Sequence, residues 1–353
     1  MFGELNDLSV NSALSIVPYD ALASSVGEHA RKVGAQLVLV PWLPAHTSQA
    51  ENTHNAIPGT PRTPAGGATA TSHNPFDALF RTGASERSAS VLHSHFIRGV
   101  FHQAGTDVAL FVDRTHPART SFQPSGAAQG QHLFLPFFGG PDDRLALDFV
   151  VQLCANPKVS ATVVRVIKRD VRPDDGEIDS PASAFLDPTK PTGDVFDHSQ
   201  INSVTVNSTV GFPDTVYGNH TTQTRLQSET ADSVAWERYA APRGPPPEPA
   251  LAAALSRVAF QDLATPVPLH AIVQHGVTAS AASARLMVVL GRSRRLAVED
   301  HHQELKEMMD ERPSNERVGS EVKKTLGDVA TAFVLSGVHA GLIVMQAATV
   351  ESD

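Results

Sequence analysis

The sequence predicts an α/β protein built from two parallel-sheet units, the first short of strands, with long irregular insertions in both. Three observations carry this. Apolar runs of strand length alternate with helix-length amphipathic stretches, the rhythm of βαβ units. The two halves of the chain end alike, each in an apolar strand, an insertion, a helix and a final strand. The 24 glycines and 25 prolines concentrate in Ser/Thr-rich tracts that cannot bury enough apolar surface to offset their ordering entropy. At 353 residues the chain is long enough for about two domains, and we place them at 1–131 and 132–353.

In the first unit, residues 14–17 (LSIV) read as a short buried strand, with Asp20 the N-cap of the helix that follows. Leu22, Val26, Ala30 and Val33 repeat at helical spacing as one apolar stripe, and Gly34 stands where a C-terminal glycine belongs. Leu37–Trp42 is a continuous apolar strand. Residues 44–85 lack periodicity and read as an insertion. A helix over 88–103 and a strand over Asp107–Val112 restore order, and 114–131 is a polar linker. Three strands are too few for a doubly wound sheet, so residues before Met1 or a partner are expected to supply the rest.

The second unit opens with a strand over 132–138, a Gly139-Gly140 turn and a helix to about residue 155. Pro141 suits its first position, and Asp142 and Asp143 lie in its positive first turn. Arg144, Asp148 and Gln152 recur every four residues as a narrow solvent stripe on an otherwise apolar helix, the pattern of a helix covering a sheet. A strand over 159–167 precedes a structureless excursion of about 170–250, whose residues 201–206 could pair as an edge strand. Strands are expected over 258–263, 269–273 and 285–290, helices over 301–311 and 327–336, and a last strand over 342–346.

Several function classes fall away on the same residues. A net charge of -9 argues against a nucleic-acid footprint. The single cysteine, Cys154, excludes an intramolecular disulfide and reads as core. No secretion signal is expected at the N-terminus. Residues 329–348 carry no formal charge over a membrane-spanning length, but Ser336, Gly337, His339 and Gly341 divide them into a helix and a strand, so no direct membrane span is expected. His93 and His95, and His301 and His302, lack the spacing that converges on a metal, and none is expected. No nucleophile elbow, phosphate loop or HExxH stretch is present, so no enzyme activity is expected.

The runs HLFLPFFGGPDDRLALDFVVQLC, RLMVVLGRSRR and GDVATAFVLSGVHAGLIVMQ resemble the cytosolic C-terminal region of monovalent cation/proton antiporters. The fungal K+/H+ exchangers are the nearest, with the plant CHX exchangers more distant. SALSIVPYDALASSVGEHARKVGAQLVLVPW and DVALFVDR fit the same region. The resemblance implies two universal-stress-protein-like units that follow a membrane transport domain, on the cytosolic face of an endomembrane or plasma membrane. It implies a regulatory role, with the transport domain as partner and a homodimer compatible. Stress proteins that bind nucleotide carry Gly-x2-Gly-x9-Gly-[Ser/Thr]; in this chain Gly291 is followed by Arg294, and the downstream Gly327 by Asp328. That departure disfavours ATP, and no cofactor is expected. A free-standing nucleotide-binding stress-type protein is the competing reading.

Two ligand-binding places stand out. The turn of Gly139, Gly140, Asp142, Asp143 and Arg144 sits at a strand's carboxyl end, where open α/β sheets hold ligands; equally, its acids could simply favour the helix dipole. Gly291 and Arg292 end the strand before the last helices. His339, between two glycines, is the candidate pH-sensing residue.

Overall fold

The computed structural model describes residues 12–42, 86–113, 130–169, 222–241, 248–283, 285–292, 301–311 and 318–348. Among these, seven strands form one sheet: β1 (Leu37–Trp42), β2 (Asp107–Val112), β3 (Gln131–Phe137), β4 (Val159–Lys168), β5 (Val258–Thr265), β6 (Leu286–Gly291) and β7 (Gly341–Gln346). Their order is β1-β2-β7-β6-β3-β4-β5. Every neighbouring pair is parallel except β2 and β7, which run antiparallel with Leu110 opposite Val344. The ranges 1–131 and 132–353 therefore share a single sheet. Periodicity reveals a strand but not its neighbour, so the join leaves no mark in the sequence.

The central strands are apolar on both faces, as strands covered by helices on both sides must be. One face carries α1 (Leu22–Val33), α2 (Glu86–Gln103), α6 (Pro268–Ala282), α7 (His302–Asp310), α8 (Ser320–Leu326) and α9 (Asp328–Ser336), whose apolar side chains meet Val108, Leu110, Phe134, Val288 and Leu342. The other carries α3 (Pro141–Leu153), α4 (Thr222–Ala240) and α5 (Pro249–Leu255) over Leu133, Leu135, Val163 and Val289. Cys154 belongs to this second core, fully buried, and burial pushes its thiol up to about 11.

Four elements differ from expectation. Residues 14–17 are not a buried strand: Leu14 and Ile16 are 88% and 95% exposed, and Pro18 leads directly into a 3-10 turn, Tyr19–Ala21. Asp20 lies inside that turn and does not cap; the buried stripe of α1 is Ala23, Gly27 and Ala30, while Val33 points outward. Residues 269–273 are helical, because Leu269, Ile272 and Gly276 recur at helical spacing behind Pro268. The excursion of 170–250 holds the nineteen-residue α4, anchored by buried Trp236 and Tyr239. Residues 44–85, most of 114–131 and the expected edge strand at 201–206 lie outside the described residues. The uncharged stretch 329–348 resolves into α9, a left-handed Gly337 and β7, and no described helix is long and apolar enough to cross a membrane.

Candidate functional site

Along β3, β4 and β5 the sheet grows in one direction; the chain then returns through α6 to place β6 on the other side of β3. This reversal makes the carboxyl ends of β3 and β6 the crevice where open α/β sheets bind ligands. The sequence-predicted residues Gly139, Gly140, Asp142, Asp143, Arg144 and Gly291 all converge there.

The crevice is filled by the protein itself. Asp143, only 6% exposed, accepts hydrogen bonds at Oδ2 from the backbone N–H of Phe138 (2.7 Å) and Gly139 (2.9 Å), and at Oδ1 from Gly291 N–H (3.1 Å). Its neighbour Asp142 reaches past β6 and accepts from Ala347 N–H just after β7 (2.9 Å). The two acids do not cap their own helix, and Gly140 at the N-cap has no side chain with which to bond the first turn. Instead they tie the carboxyl ends of three strands to the positive end of α3, where a carboxylate is favoured. Gly291 is required, because a Cβ there would overlap Asp143 Oδ1. Gly139, at φ 102°, takes a turn that L side chains rarely adopt.

A third acid closes the outer side. Asp232 of α4 accepts from Gly140 N–H (2.9 Å) and pairs with the Arg144 guanidinium. Sequence reasoning missed Asp232, since α4 has little amphipathic pattern; its one legible signal was the aromatic pair Trp236 and Tyr239. Trp236 packs against Phe137 and Phe260 at 5.7 and 5.4 Å, and Tyr239 donates to Asp148 at 2.7 Å. Burial, reinforced by that carboxylate, pushes the Tyr239 hydroxyl up to about 12. His301 also borders the crevice, edge-on to Phe138 at 4.9 Å.

Arg292 is 8% exposed and faces the protein interior. Its guanidinium donates to Thr325 O (3.0 Å), Lys324 O (3.1 Å) and Gln346 Oε1 (2.7 Å), and lies over the Phe101 ring at 4.5 Å. It thus satisfies carbonyls at the C-terminus of α8, where a cation suits the dipole. Arg294 lies outside the described residues, and Asp328 sits in the first turn of α9, 3.9 Å from Lys323 Nζ. His339 is exposed at the amino end of β7, away from the crevice, and its carbonyl accepts from Ser280 Oγ at 3.4 Å. Burial lowers the proton affinity of His93, beside Trp42 and Phe96, and of His132. Among the described residues no group of three or more His, Cys, Asp or Glu could hold a metal ion.

Chemically, the arrangement offers an anion cradle already occupied by a tethered carboxylate. The donors that would hold a phosphate are taken, and added negative charge would meet Asp142, Asp143 and Asp232.

No family model matches the chain. It is 34% identical to "Cation/H(+) antiporter 1" and 32% identical to "Cation/H(+) antiporter 2", both of Arabidopsis thaliana, over 97 residues in each case. Over that stretch the chain is similar to cation/proton antiporters. The stretch is 27% of this chain and 12% of either relative, so the chain matches only a small part of the relatives' length. A crystal structure of a functionally unknown protein, PA1789 from Pseudomonas aeruginosa PAO1, aligns over 97% of this chain and 76% of its own, at a TM-score of 0.33 and 10% identity. So loose a likeness carries no argument, and the fold rests on the sheet order described above.

Proposed function

We propose that this chain is a regulatory, non-catalytic part of a monovalent cation/proton antiporter, acting from the cytosolic side on a membrane transport domain. The observation that carries the reading is the self-filled crevice: the place where an α/β sheet of this order would bind a ligand holds the chain's own Asp143. The partial similarity to two cation/H+ antiporters supplies the transporter. Potassium as the cation, a fungal-type exchanger as the parent and stress-protein-like ancestry for the two halves belong to the same proposal. Such a module works by population shift: an effector, protonation or modification that prefers one arrangement biases gating by no more than its differential binding energy. A free-standing nucleotide-binding protein draws support from the sheet order alone and is opposed by the occupied cradle.

The test is transport. The matching stretch is deleted from the Arabidopsis relative, or replaced by this chain, and cation-driven proton flux is measured in vesicles across a range of pH. Deletion should alter the pH or cation dependence, and replacement should restore it. Flux that keeps the same rate and pH profile after deletion would refute the proposal.

A further inference from the structure

The two ends of the sheet's centre are related by an approximate dyad. β2 and β7 are six residues each and cross antiparallel with Leu110 opposite Val344, Val108 opposite Gln346 and Val112 opposite Leu342. A half-turn about the Leu110–Val344 pair exchanges the two strands and carries β1 onto β6. The registers agree: Leu37 pairs with Asp107 as Met287 pairs with Gly341, so Leu39 corresponds to Val289 and Pro41 to Gly291. The symmetry then stops. The far edge of β6 carries β3 in parallel, with α3 laid over it, and Val289 is fully buried. The far edge of β1 pairs with no described strand, and Leu39 at the equivalent position is 61% exposed with Pro41 exposed beside it.

We propose that this edge and face of β1 form a docking surface for a strand-and-helix element of an α/β partner, entering parallel to β1 as β3 and α3 seat on β6. Both described helices of the first half, α1 and α2, pack on the opposite face, through Ala23, Ile97, Val100 and Phe101. A second copy joined edge to edge across a dyad would bring β1 antiparallel to itself and leave Leu39 and Pro41 bare, so it does not fit. A parallel strand followed by a helix fits both the edge and the face at once. Pro41 has no N–H to donate, so the entering strand pairs with the residues of β1 that precede it. Nothing in this geometry depends on the antiporter reading.

The probe is a synthetic peptide of residues 130–153, the strand–turn–helix that covers β6 in this same chain. Titrated into the 353-residue chain, it should bind saturably one to one, slow amide exchange in residues 37–40, and bind at least tenfold more weakly to Leu39→Glu. Absence of binding, or binding without protection of β1, overturns the proposal. Sedimentation equilibrium of the protein alone should show a monomer. Self-association that Leu39→Glu abolishes would make a second copy the occupant and likewise overturn it.

Discussion

Asp143 holds three backbone N–H groups that would otherwise be buried without acceptors, and each such group costs about 1–3 kcal/mol when orphaned. Asp143→Ala should therefore lower the free energy of urea unfolding by about 3–5 kcal/mol, and Asp143→Asn, which keeps one acceptor oxygen, by less. A loss below about 1 kcal/mol for the alanine variant would mean that the cradle closes without it. The acids of this turn were legible as residues suited to a helix start, but the direction of their bonds was not. Gly291 lies 148 residues from Asp143 and Ala347 lies 205 from Asp142, and no local pattern reports partners at that distance. His93 adds a dependence on pH. An unfolded His93 titrates near 6.5, and burial lowers that value in the folded protein. Below about pH 6.5 the unfolded chain therefore binds protons that the folded one refuses, so stability is full above that pH and falls as pH drops. Melting temperature should decline from pH 7.5 towards 5.5, and His93→Phe, an aromatic replacement between Trp42 and Phe96, should flatten the decline. An unchanged slope would assign the effect to other groups.

Most of the elements are legible in their periods. β1, β2, β3, β6 and β7 are each built on an apolar run, and α3 shows its polar stripe plainly. Two helices mark where periodicity runs out. Residues 269–273 of α6 read as a strand in sequence, because a short apolar run looks the same in both periods. α4 shows no apolar stripe at all; what holds it is tertiary, namely Trp236 between Phe137 and Phe260, Tyr239 on Asp148 and Asp232 on the turn. A helix so anchored should come off before the sheet. Trp236→Ala is expected to cost about 3–5 kcal/mol locally, seen as lost amide protection throughout α4 while β3 stays protected. Equal loss in both would show that α4 belongs to the cooperative core.

At the scale of the whole molecule, the joining of residues 1–131 and 132–353 in one sheet was not legible. The join is made by β2 against β7 and reinforced by side chains that cross it. Arg98 pairs with Glu321 at 2.6 Å, Gln346 Nε2 donates to Phe101 O at 2.7 Å, and Arg292 stacks on Phe101 while holding Gln346. Arg292→Lys should be far from conservative, since an ammonium cannot reproduce the planar fork; a loss of about 2–4 kcal/mol in urea unfolding is expected. If lysine is tolerated within about 0.5 kcal/mol, the joint lies elsewhere. These crossings tie the helices and strands of the two halves to one another. The non-catalytic role proposed above requires the crevice between β3 and β6 to be full already. Isothermal titration of the intact protein with magnesium ATP should give no saturable heat up to about 1 mM nucleotide. Saturable micromolar binding would show that Asp143 yields its place to a phosphate, and would contradict a self-filled crevice.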